Sequence, residues 1–140
     1  MIEDIRNLES ERLNIIVSLD KACSIFHELA FKAMVVGLHI NGKLEVCGDP
    51  QMKAANSDLI QKIEKKGEET VWLTDELTKV DCKLDKLYNE TYQDLINRYA
   101  TSSEHMANIA FINKRFQKSL SNRTAGDFLE KMTMFLDGKI

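Results

Sequence analysis

The chain has 140 residues, 44% hydrophobic and 29% charged, a balance that suits one packed domain and argues against disorder. A formal net charge of −3 argues against a uniformly basic nucleic-acid or anionic-membrane binder, and no apolar run approaches the roughly 20 residues of a membrane span. One proline in the whole chain leaves room for long helices.

The first third predicts a long amphipathic helix over about residues 2–33. Ile5, Leu8, Ile15, Leu19, Ala22, Phe26 and Leu29 recur in alternating steps of three and four, interrupted by Arg12. This is the a/d spacing of a helix–helix seam, and Ile2, Leu13, Ile16, Ile25 and Ala30 widen it toward a core-facing stripe. Such a helix is about 45 Å long at 1.5 Å per residue, more than the average width of a 140-residue globule.

The period then changes. Residues 34–47 carry Asn41-Gly42 between two β-rich runs, which predicts a hairpin. A three-residue loop with Gly42 left-handed sets Leu38 opposite Leu44 and Val36 opposite Val46. Continuing the helix instead would cost about 1 kcal/mol at Gly37. Gly48-Asp49-Pro50 reads as a turn, Gln51 to Lys66 as a short helix and Gly67-Glu68-Glu69 as its break. Thr70-Val71-Trp72-Leu73 is branched and aromatic, a third strand, with Trp72 expected in the core.

Thr74 reads as the N-cap of a helix whose stripe runs Leu77, Val80, Leu84, Leu87, Tyr88, Thr91, Leu95, Ile96 and Tyr99. A restart at Thr101-Ser102-Ser103 leads into a helix ending near Leu120, with Phe116 facing inward. Ser121-Asn122-Arg123-Thr124 breaks it, and Thr124 with Asp127 resembles a capping box for a last helix ending at Gly138.

The expected fold is therefore α+β and predominantly α, with long helices packed on a small antiparallel hairpin or three-stranded sheet. It forms a single domain over 1–140, with helical region 75–138, and an all-α bundle is the alternative. In element order alone, helix–hairpin–helix–strand resembles the start of GAF-like and roadblock-like modules, and the three closing helices depart from it.

Catalytic signatures are missing. The sequence has no Gly-x-Ser-x-Gly, phosphate-cradling glycine loop or His-Glu-x-x-His. Cys23 and His27 share a helix face, but two ligands do not make a metal site. His27 lacks the small neighbours and close lysine that a phosphoryl-accepting histidine favours. Three unspaced cysteines, Cys23, Cys47 and Cys82, and an acidic start unlike a signal peptide give the expectation of reduced thiols and a cytoplasmic location. No cofactor, metal or membrane contact is expected.

Charge is uneven. From Thr101 onward six basic residues face four acidic ones, and Lys114, Arg115 and Lys118 project to one side of their helix. The reading that follows is a non-enzymatic protein-binding module, an adaptor, chaperone or regulatory inhibitor. Its first helix associates with its own copy, as a coiled-coil homodimer, or with a helical partner through Leu8, Ile15 and Leu19. A nucleic-acid-binding regulator using Lys114, Arg115, Lys118 and Arg123 is the alternative. A small-ligand sensor built on the hairpin is the second.

Overall fold

The computed structural model describes residues 1–35, 50–101 and 108–139, the side chains of 50–56 excepted. Among these residues there are four helices and no strand: α1 (Ile2–Val35), α2 (Pro50–Ala100), α3 (Ile109–Ser121) and α4 (Ala125–Leu136). The α+β expectation is thus corrected to an all-helical bundle. The hairpin expected over 34–47 lies outside the described residues, apart from Met34 and Val35, which close α1.

The third strand is overturned outright, because Thr70–Leu73 lies within the 51-residue helix α2. Two features carry the helix through. Positions 63, 66, 70, 73, 77, 80 and 84 alternate three and four without a break, so the buried side never loses its register. The Thr70 hydroxyl donates to the Gly67 carbonyl at 2.7 Å and the Thr74 hydroxyl to the Thr70 carbonyl at 2.8 Å, so both threonines satisfy themselves on the helix. The expected break at Gly67 and the cap at Thr74 fall with the strand, and so does the element order that resembled GAF-like and roadblock-like modules. Pro50 opens α2, where its fixed φ and missing N–H cost nothing. Glu3 and Asp4 open α1 and Lys32 closes it, each favourable to the helix dipole.

The chain divides into two compact units, Met1–Leu13 with Thr78–Ile140, and Asn14–Leu77. The second unit is an antiparallel pair built from parts of α1 and α2. Ala33 packs with Ile60 and Ile63, flanked by Phe26, Leu29 and Leu59. A Cβ on Gly67 would stand 3.5 Å from Phe26, so the glycine lies against that ring. Ala22 and Leu73 are also buried in this unit.

The first unit has the deeper core. Ile5 of α1, Leu84 and Tyr88 of α2, Phe116 of α3 and Leu129 of α4 are fully enclosed. Each such apolar side chain contributes about 1.5–3 kcal/mol. Tyr92 stacks on Phe116 with centroids 3.8 Å apart, and Phe128 closes the cluster at 6.1 Å from Phe116, which fixes α3 and α4 on α2. Of the stripe read in sequence, Val80, Leu84, Tyr88, Thr91, Leu95, Ile96 and Tyr99 are buried, and Leu77 and Leu87 are half-buried.

Candidate functional site

The turn between α3 and α4 sits within a polar network of the first unit. Arg123 donates its backbone N–H to the Leu120 carbonyl and Thr124 to the Ser119 carbonyl, each at 3.0 Å. This is a Schellman closure, and its left-handed position is held by Arg123 at φ 52° where glycine is usual. α4 ends the same way at Gly138, with glycine in that role at φ 73°. An arginine there costs about 1–2 kcal/mol. Its own contacts hold it: Nε lies 3.4 Å from Asp81, Nη2 lies 3.7 Å from Asp85, and its carbonyl accepts from Tyr88 at 3.0 Å.

Around this turn runs a polar network. The Tyr88 hydroxyl also meets Glu9 at 3.1 Å. Burial, then the charge of Glu9, holds the Tyr88 phenol well above its ordinary range. Arg6 reaches Asp127 and Glu130 at 2.5 Å each and Glu9 at 3.3 Å. These bonds, Glu130 first, raise the Arg6 guanidinium further, and the bond from Arg6 holds the Asp127 carboxyl below its usual value. Arg12 pairs with Asp81 at 2.7 Å, which explains the charge that interrupts the α1 stripe. Asp127 does not cap α4 as the sequence suggested. The Thr124 hydroxyl makes no capping bond and donates weakly back to Ser119.

Outside the turn, α3 and α4 border two adjoining cavities. One, of about 430 Å³, is lined by Arg115, Lys118 and Lys131 with Ser119, Asn122, Thr124, Asp127 and Phe128. The other, of about 360 Å³, is lined by Tyr99, Ile112, Phe128, Met132 and Phe135, again with Lys131. Phe128 and Lys131 belong to both.

The candidate nucleic-acid residues therefore separate. Lys114, Arg115 and Lys118 are exposed on α3, and Arg115 and Lys118 meet at the first cavity. Arg123 is committed to Asp81 and Asp85 instead. Lys131 and Phe128 are the residues the sequence reading missed. The signal was the Ser121–Thr124 break, which folds α4 back so that Lys131 comes to the cavity that Lys118 lines.

The candidate partner residues Leu8, Ile15 and Leu19 are half-buried on the α1 stripe, as are Phe26 and Leu29, while Ile5, Ala22 and Ala33 on the same side are enclosed. The large apolar residues that α1 leaves exposed are different: Leu13, Val17, Ile25, Phe31, Met34 and Val35, at 42–70% exposure. Trp72, expected in the core, is 60% exposed, with Val71 beside it. Once the third strand becomes helix, both fall off the seam that carries Thr70 and Leu73.

Cys23 is half-buried and His27 exposed, with His27 edge-on to Phe26. Among the described residues no group of three or more metal-ligating side chains occurs, and no helix is long and apolar enough to cross a membrane. His39, Cys47 and His105 lie outside the described residues. Compared with protein-family models, curated proteins and solved structures, the chain matches none.

Proposed function

We propose that the chain is a non-enzymatic helical association module that pairs through the outer face of α1, with a second copy as its partner. The observation that carries this reading is the placement of Val17, Phe31 and Val35 in the second unit. They are exposed by 51%, 65% and 70% on the side of α1 away from its buried stripe. Val17 and Phe31 lie at equal spacing on either side of Ser24, with polar Asp20 and His27 between them. An antiparallel contact about a two-fold axis at Ser24 sets Val17 beside Phe31 of the other copy, and Phe31 beside its Val17. That self-complementarity is what an isologous dimer requires.

Sedimentation equilibrium tests the reading. The expected result is a dimer for the native chain and a monomer of unchanged helicity for Val17→Glu/Phe31→Glu. These positions are exposed, so the substitutions leave the fold intact. A native chain that stays monomeric, or a double variant that stays dimeric, overturns it.

A further inference from the structure

We propose that the two adjoining cavities on α3 and α4 form one binding site for a small amphiphile, with an anionic head among Arg115, Lys118 and Lys131 and an apolar body against Ile112, Phe128 and Phe135. Three observations converge on this chemistry. The polar cavity holds three cations, and among the described residues neither Lys118 nor Lys131 forms an ion pair. Its single acid, Asp127, is bound by Arg6 at 2.5 Å and also feels the charge of Lys131, so one carboxylate faces three cations and the lining keeps a positive excess. The second cavity has aromatic and aliphatic walls with Lys131 at its edge, and it shares Phe128 with the first.

Each cavity alone is a weak site. The cationic one is open to water, where a lone ion pair contributes little. The apolar one has a single charge, Lys131 at its edge, to orient a ligand. Joined at Phe128 and Lys131, they supply what ligand pockets combine: apolar walls for affinity and a few placed charges for specificity. Their volumes, about 430 and 360 Å³, are each within the usual range of small-molecule pockets. A nucleic acid would use the cations but leave the Ile112–Phe135 side empty, which is why an amphiphile fits better.

The test is calorimetric titration of the full chain with dodecanoate below its micellar concentration. Inorganic phosphate serves as a head alone and 1-decanol as a chain alone. The expected result is saturable 1:1 binding of dodecanoate, with phosphate weaker by at least about tenfold and decanol by about a hundredfold, about tenfold for its two fewer carbons and about tenfold for the missing charge-assisted contact. Lys118→Gln/Lys131→Gln is expected to weaken dodecanoate by about tenfold or more and to leave decanol unchanged. Phe135→Ser, at a half-exposed position, is expected to weaken dodecanoate and decanol alike. Absence of saturable dodecanoate binding overturns the site, as does undiminished binding by the double-lysine variant or decanol binding as tight as dodecanoate. None of these readouts depends on the oligomeric state that tests the α1 reading.

Discussion

The Tyr88 hydroxyl, from the fully buried side of α2, lies 3.0 Å from the main-chain oxygen of Arg123 and 3.1 Å from the carboxylate of Glu9, with both as acceptors. One proton thus serves two acceptors, one on α1 and one in the α3–α4 turn. Tyr88→Phe keeps the ring and its packing but leaves both acceptors without this donor. The expected loss is about 1–2 kcal/mol, the scale for a buried hydrogen bond that is not replaced. Urea denaturation followed by circular dichroism measures it as a lower midpoint with an unchanged slope.

Arg123 separates backbone strain from charge. Arg123→Ala loses the ion pairs to Asp81 and Asp85 and keeps the left-handed φ, so it bears both losses. Arg123→Gly loses the same pairs but relieves the strain. The glycine variant is therefore expected to be more stable than the alanine variant by about 1 kcal/mol. Equal melting temperatures for the two would show that residue 123 leaves the left-handed region in solution.

Gly67 and Gly126 are both helical and are expected to respond to alanine in opposite directions. At Gly67 the new Cβ meets Phe26 at 3.5 Å, an ordinary contact, so Gly67→Ala gains about 1 kcal/mol from helix propensity. At Gly126 the Cβ collides with the Glu9 carboxylate, which is held by both Tyr88 and Arg6. Gly126→Ala must expel Glu9 from those bonds and is expected to lower stability by about 1–3 kcal/mol. Thermal melts of the two variants against the native chain decide both signs.

Much of this was legible in the pattern of apolar residues, and less in local propensity. The α1 stripe and the Leu77–Tyr99 stripe are long, so their period identifies both the helix and its buried side. Thr70–Leu73 was misread because a four-residue window of branched and aromatic side chains resembles a strand. The longer register from Ile63 to Leu84, unbroken through Gly67, outweighed it. Trp72 followed that error into an expected core place. The sequence offers Arg123 as a nucleic-acid contact, because nothing in it shows that Asp81 and Asp85, some forty residues earlier, come to meet it. Lys131 was missed for the same reason, since only the α3–α4 turn brings it to the cavity of Arg115 and Lys118.

Asp127 at the acid end, and Tyr88 with Tyr92 (raised by burial) at the alkaline end, shape the pH range of the first unit. Asp127 has its carboxyl lowered by the bond from Arg6, so its contribution is present above the usual carboxylate value and is lost as pH falls through the depressed one. Tyr88 has its phenol raised by burial and Glu9, so its contribution is complete below the usual value near 10 and declines as pH rises beyond it. Stability measured across alkaline pH is expected to fall from about pH 10 upward, and to fall less steeply in Tyr88→Phe. At the acid end, Asp127→Asn is expected to flatten the profile below about pH 4, by a small amount because Asp127 is exposed. Parallel profiles for native and variant chains would remove these groups from the account.

Substitutions on the two sides of α1 are expected to fail differently. Leu8, Ile15 and Leu19 are half-buried on the side of α1 that encloses Ile5, Ala22 and Ala33, so changing all three to serine removes apolar area from the fold itself. At about 25 cal/mol per Å² the three together cost several kcal/mol, a large share of the 5–15 kcal/mol typical of a domain. The triple variant is expected to lose helicity and melt at much lower temperature whatever its concentration. Val17→Glu/Phe31→Glu touches exposed positions and is expected to keep its helicity while its apparent melting temperature stops rising with protein concentration. A triple-serine variant that keeps native stability and only dissociates would place the association seam at Leu8, Ile15 and Leu19 instead, and would make the outer face of α1 ordinary surface.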